Sequence, residues 1–179
     1  CINLDLRSHW LLAQAAKSAL RVERSRTAGS ASVRRHPPDI GRPTFLINSS
    51  NHAEYTIPGC FPYNVAKAGL NGIVQSLAIE WGPTIRAVGV APGFVETAGN
   101  RAWFARFDEP EVERGRTEMM HPTGSLGTVD QIGAIFLFLA SRYADFVTGT
   151  TWLVDGGRSA LMQDGGRDYR VDNQEAGSI

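Results

Sequence analysis

Thr44-Phe45-Leu46-Ile47-Asn48 and Ile85-Arg86-Ala87-Val88-Gly89-Val90-Ala91 decide the fold of this 179-residue chain. Both runs are short and rich in β-branched and apolar residues. Turn formers bound them: Pro43 and Ser49-Ser50 around the first, Gly82-Pro83 and Pro92-Gly93 around the second. Each reads as a buried strand. Between them Leu70, Ile73, Val74, Leu77 and Trp81 recur at helical spacing. Pro62 opens that helix, where a missing N–H costs nothing, and Gly82-Pro83 stops it. Ser49 to Phe61 is a loop with Pro58-Gly59 as its turn. Strands alternating with crossover helices pair in parallel, so the expected class is α/β.

Outward from this unit the pattern repeats. Leu4, Leu6, Trp10, Leu11, Leu12, Ala15, Ala16 and Ala19 form an apolar stripe, which predicts a helix from Asn3 to about Leu20. Residues 21–43 are Arg-rich, with Pro37-Pro38 and almost nothing to bury, and read as a long loop. Downstream, Phe94 to Pro122 mixes Trp103, Phe104 and Phe107 with charged residues and reads as a flap of short helices. The three aromatic residues are expected to pack its underside, with lining an apolar pocket as the other reading. Thr128-Val129-Asp130-Gln131 is a capping box leading into Ile132, Ile135, Phe136 and Leu139. Thr150-Thr151-Trp152-Leu153-Val154 is a third strand, closed by Asp155-Gly156-Gly157, and residues 158–179 form a polar tail. No internal repeat is visible.

Composition bounds the function. Apolar residues make up 42% of the chain, and 18 basic residues balance 18 acidic ones. That balance gives no general argument for nucleic acid or an anionic membrane surface as partner. The longest strongly apolar run, Ile132 to Ala140, is too short to span a bilayer. Cys1 and Cys60 make neither a disulfide framework nor a metal site. A cytoplasmic setting is the expectation. The Cys1 start, with a helix beginning almost at once, reads as the interior of a longer protein.

Tyr63 and Lys67 are four apart on the helix between the first two strands, so they share one face. A free tyrosine has a pKa near ~10, and bringing a phenol to ~7 takes about 4 kcal/mol of preference for the phenolate. One positive charge at ~4 Å, in an effective dielectric of ~20, supplies about that much. A lysine so placed can therefore turn a tyrosine into a general acid/base. By itself the spacing is equally that of a surface pair with no role.

Its context carries a family likeness. Ile47-Asn48-Ser49-Ser50, then Tyr63 to Leu70, then Ile85-Arg86, then Val90-Ala91-Pro92-Gly93-Phe94-Val95-Glu96-Thr97 resemble, in order, the short-chain dehydrogenases/reductases. Thr148 to Thr151 and Val154 to Gly157 resemble the end of that family's domain. The resemblance implies a partial Rossmann-like, doubly wound parallel sheet in a three-layer α/β/α arrangement that lacks its first strands. It covers residues 1–157. It implies NAD or NADP as cofactor and hydride transfer between a secondary alcohol and a ketone. Tyr63 would be the acid/base, and Lys67 would favour its phenolate and hold the nicotinamide ribose. Ser50 would hold the substrate oxygen, with Ser49 as the fallback if the register differs by one. Asn3 would be the relay asparagine, although a helix-start asparagine is also a common cap. Pro92, Gly93, Val95 and Thr97 would meet the nicotinamide end, and Glu96 is left without a role.

The likeness also has gaps. No Gly-rich dinucleotide fingerprint and no Asn-Ala-Gly precede Asn3, and Thr123-Gly124-Ser125-Leu126-Gly127 follows His-Pro rather than a strand. The expectation is that these residues alone bind NAD(P) poorly and leave an open sheet edge. Val88 stands where the family commonly has asparagine. Enoyl reductases usually space the tyrosine and lysine more widely, and nucleotide-sugar epimerases usually lack the Asp-Gly-Gly ending. The ending Asp155-Gly156-Gly157-Arg158-Ser159-Ala160-Leu161-Met162 loosely resembles sugar and polyol dehydrogenases. The alternative is a truncated, inactive homologue serving as an interaction or regulatory subunit. A third idea is that the Arg-rich loop binds an acidic partner. The family usually forms dimers or tetramers, for which Ala68, Gly69 and Gly72 suit close helix packing.

Overall fold

The computed structural model describes residues 1–21 and 42–161. The Arg-rich loop, save its ends, and the tail beyond 161 lie outside the described residues.

β1 (Thr44–Asn48), β2 (Arg86–Pro92) and β5 (Thr150–Val154) form one parallel sheet in the order β1-β2-β5. β2 is central and buried along its whole length, which is why, after Arg86, its sequence is a continuous run of small and apolar residues. Successive side chains alternate between two apolar layers. Phe45, Ile47 and Ala87 pack with Leu70, Val74, Leu77 and Trp81 of helix α2 (Tyr63–Trp81) and with Ala13 of α1 (Ser8–Arg21). Val88 and Val90 face the other way, onto Leu139 of α5 (Val129–Ala140) and Ala144. Helices on both faces of a parallel sheet give the expected three layers. Among the described residues the outer edge of β1 has no strand beside it.

Several boundaries differ from the expectation. The first helix opens with a π-helical turn, Ile2–Arg7, before α1. The second strand starts at Arg86 because the Ile85 amide still bonds back to the Trp81 carbonyl. It runs through Pro92, whose lack of N–H is tolerated at a strand end. The flap consists of α3 (Ala98–Phe104) and α4 (Pro110–Met119). A small parallel pair, β3 (Val95–Glu96) with β4 (Gly127–Thr128), ties it to the start of α5. The Thr128–Gln131 capping box forms in both directions. The first residues of the expected tail, Arg158–Ala160, make a 3-10 turn instead.

Gly69 lets the first helix approach α2, since a Cβ there would fall 2.8 Å from Leu6 Cδ1. Gly72 has open space around it. Of the small residues suited to helix packing, Gly69 is thus used within the chain. No helix among the described residues is long and apolar enough to cross a membrane.

Candidate active site

The carboxyl ends of β1 and β2 lie side by side, and the loops leaving them build the site. This is the position at which open α/β sheets bind ligands. Ser49 and Ser50 leave β1 and are both buried. The Ser49 hydroxyl donates to the Lys67 carbonyl at 3.2 Å, which spends it on the α2 backbone. Ser50 lines a cavity of about 460 Å³ together with Tyr63, Gly93, Phe94, Asn100 and Trp103. The register therefore brings Ser50, not Ser49, to the tyrosine. Ser50 also caps its own turn, accepting from the His52 amide at 3.2 Å, and its hydroxyl donates a long hydrogen bond to Asn51 Oδ1 at 3.4 Å.

Tyr63 is the first residue of α2, and Lys67 follows one turn later. The Lys67 ammonium lies 5.4 Å from the centroid of the Tyr63 ring. It is 8% exposed, donates to the Asn48 carbonyl at 3.3 Å, and sits 3.9 Å from Asp5 Oδ1. Burial pushes the lysine below its ordinary pKa, and the Asp5 carboxylate works the other way. An ammonium has three donors, and the Asn48 carbonyl takes one. The donors that remain suit the hydroxyls of a ribose.

Asn3 is exposed in the π-helical turn, where its carbonyl accepts from the Ser8 amide. The acid facing Lys67 is Asp5, two residues on, which the sequence reading passed over.

Pro92 and Gly93 close β2. The Gly93 amide donates to the Val154 carbonyl at 3.1 Å, and a Cβ at Gly93 would lie 2.8 Å from Asp155 Cα. Gly93→Ala is therefore expected to destabilise the fold by about 1–3 kcal/mol, because backbone rather than a movable side chain blocks the new methyl. Urea denaturation of the variant measures this, and an unchanged midpoint would refute the close packing.

Val95 and Thr97 position the flap. Thr97 caps α3, its hydroxyl accepting from the Asn100 amide at 3.1 Å, and the Asn100 side chain donates to the Val95 carbonyl at 2.6 Å. Glu96 holds the flap to α4 through two contacts with Arg114, at 3.2 and 2.8 Å. Those hydrogen bonds, and the Arg114 and Arg101 charges, keep the Glu96 carboxyl below its usual pKa. Trp103 stacks against Phe94, Phe104 and Phe107, with ring centroids 4.7–5.6 Å apart. Phe104 is buried, whereas Trp103 also reaches the cavity. The flap aromatics thus divide between the two expected roles. A second groove of about 560 Å³ shares Phe94, Asn100 and Trp103 but includes none of Ser50, Tyr63 and Lys67.

Beneath the cavity, His121 is buried with Nδ1 2.8 Å from the Thr117 carbonyl. A carbonyl only accepts, so Nδ1 carries the hydrogen. Nε2 is then a buried acceptor without a partner among the described residues. Burial holds this imidazole below its ordinary pKa; the Thr117 bond raises it, the Arg158 charge lowers it further and the Asp155 charge raises it. The unfolded chain then binds the proton more readily than the folded one. Stability is full above the unfolded value and is lost as pH falls through the folded one. From about pH 7.5 to about pH 5.5, histidines titrate almost alone among side chains. His121→Gln is expected to shrink the loss of unfolding free energy over that interval, measured by denaturant titration at both ends. An equal loss would place the sensitivity elsewhere, for example at His9, which burial also depresses.

A family model described as enoyl-(acyl carrier protein) reductase matches residues 2–159. A 3β-hydroxysteroid dehydrogenase of Eggerthella lenta is 38% identical over 68% of this chain and 46% of its own length. A short-chain dehydrogenase of Penicillium roqueforti is 28% identical over 82% of this chain and 52% of its own. The solved structure of a gluconate 5-dehydrogenase from Burkholderia cenocepacia, in complex with NADP and tartrate, superposes with a TM-score of 0.71. It is 25% identical and covers 90% of this chain and 55% of its own. The chain spans about half the length of these relatives. The matched residues and the three-layer parallel sheet agree, and the chain belongs to the short-chain dehydrogenase/reductase family.

Proposed function

We propose that the protein is an NAD(P)-dependent oxidoreductase that interconverts a secondary alcohol and a ketone. The observation that carries this reading is the meeting of Ser50, Tyr63 and Gly93 on one cavity, with the Lys67 ammonium buried beside the tyrosine ring. A nicotinamide cofactor, when bound, supplies or accepts the hydride. Ser50 donates a hydrogen bond to the substrate oxygen and fixes its direction. Tyr63 takes the proton from the alcohol oxygen during oxidation and returns it during reduction. Lys67 stabilises the negative charge that the phenol oxygen gains, and its free donors hold the ribose hydroxyls. Gly93 and Pro92 allow the nicotinamide end to approach the backbone, and Val95 and Thr97 orient the flap above it.

The carbonyl–alcohol reading is preferred to enoyl reduction because Tyr63 and Lys67 stand one turn apart on α2. The names of the two curated relatives above are also those of dehydrogenases. The inactive-homologue reading is weaker, because it gives no reason for a buried lysine beside the tyrosine. A homo-dimer or homo-tetramer in the cytoplasm, acting on a small molecule, completes the proposal. The test is spectrophotometric: NADH or NADPH consumption with a panel of ketones and keto acids. Turnover supports the reading, and none with any ketone in a sample that fluorescence titration shows to bind NADH or NADPH refutes it.

A further inference from the structure

Within the cavity that holds Ser50 and Tyr63, one charge has no hydrogen-bonded counterpart among the described residues. The titratable residues on its lining include Glu113, Arg116 and Arg158. Arg116 Nη1 lies 3.9 Å from Glu113 Oε2, so these two offset each other at an exposed position. The Arg158 guanidinium has no hydrogen-bond acceptor among the described residues. Asp155 is the acid that acts on it electrostatically. The Asp155 carboxylate already accepts from the Gly157 amide at 3.0 Å and the Ser159 amide at 2.7 Å.

The turn that carries Arg158 is closely packed. Gly156 and Gly157 both have positive φ, and a Cβ on either would meet Thr123 Oγ1 at 2.6 Å or Pro122 Cγ at 2.9 Å. Arg158 is thus presented to the cavity by a packed element rather than a loose tail. A partly desolvated guanidinium without a bonded acceptor is costly, and an anion that offers two coplanar oxygens relieves that cost. Phe94 and Trp103 supply an apolar wall in the same cavity.

We propose that Arg158 is a specificity-determining residue that selects substrates bearing a carboxylate, that is, hydroxy acids and their keto counterparts with an apolar body. The proposal rests on the alcohol–ketone reading above and deepens it. One guanidinium with no carboxylate at ion-pair distance among the described residues matches a monoanionic carboxylate. A dianionic phosphate would call for a second free cation, and Glu113 engages Arg116.

The probe is 3-phenyllactate against its methyl ester, titrated into the purified protein by calorimetry. The acid is expected to bind more tightly than the ester. Arg158→Gln is expected to weaken acid binding by about 10- to 100-fold, while ester binding is unchanged. Arg158→Lys, which keeps the charge but not the fork, is expected to recover part of the loss. Acid that binds no better than ester, or not at all, overturns the proposal. So does equal weakening of both ligands by Arg158→Gln. An NAD(P)-linked assay on the same samples separates the two claims. Arg158-dependent acid binding without turnover of any secondary alcohol keeps the anion site and removes the dehydrogenase reading. Turnover with no acid preference does the reverse.

Discussion

Tyr63→Phe is expected to lower kcat by about 10²–10⁴-fold, the usual worth of a positioned acid/base, with little change in KM. The substitution deletes one oxygen and keeps the ring. The edge-on contact of that ring with His52, centroids 6.2 Å apart, therefore survives. So does the position of Lys67, which hydrogen-bonds to the Asn48 carbonyl and faces Asp5. Unfolding free energy should stay near that of the unaltered protein, so lost turnover cannot be blamed on lost fold. Steady-state kinetics in both directions, with thermal unfolding as a control, make the measurement. If kcat is unchanged, the proton passes through another group and Tyr63 is not the acid/base.

The largest effect on stability is expected at Arg86. This residue starts the central strand and is 1% exposed. Its Nη2 donates to the Leu139 carbonyl at 2.8 Å and its Nη1 to the Val147 carbonyl at 3.2 Å. Asp145 Oδ1 lies 3.5 Å from Nε, an ion pair without a well-formed hydrogen bond. One guanidinium thereby ties the end of α5 and the approach to β5 onto β2. Asp145 also accepts from the Arg42 amide at 2.9 Å, which extends the network to the start of β1. Arg86→Ala leaves these carbonyls and a buried carboxylate-facing hole behind. A loss of about 2–4 kcal/mol is expected, from the cavity and the unsatisfied carbonyls, because Asp145 is partly exposed and keeps Arg42 as a partner. Arg86→Met fills the hole but still orphans the carbonyls, so it should recover only part. Urea midpoints of the three proteins decide the matter. An Arg86→Ala variant within about 1 kcal/mol of the parent would show that the network stabilises little.

The sequence-based reading of Arg86 was only that it belongs to a strand. Its partners lie more than fifty residues away, at Leu139 and Val147, and no local pattern encodes them. The same holds for Asp5 with Lys67, and for Glu96 of β3 with Arg114 of α4. β3 and β4 escaped notice because a two-residue strand has no period to detect. Asn3 was singled out by its motif, but the π-helical turn turns Asp5 toward the lysine instead. By contrast, the capping box at Thr128 was fully legible, because all its atoms lie within four residues.

What the sequence by itself determined is whatever depends on neighbours in the chain. Strand and helix identity followed from periodicity, Tyr63 and Lys67 from one turn of helix, and Ser50 from its place after β1. The family likeness rested on the order of those same local motifs. What only the tertiary structure decided is which of these groups share a cavity and which charges remain unpaired in it. Ser50 rather than Ser49 faces Tyr63 because the α2 backbone takes the Ser49 hydroxyl. Arg158, read as part of a loose tail, lines the same cavity because the Gly156-Gly157 turn packs against Pro122 and Thr123. The physical reason is common to both: burial and pairing are properties of contacts between distant segments, and the chain forms those contacts only when its layers pack.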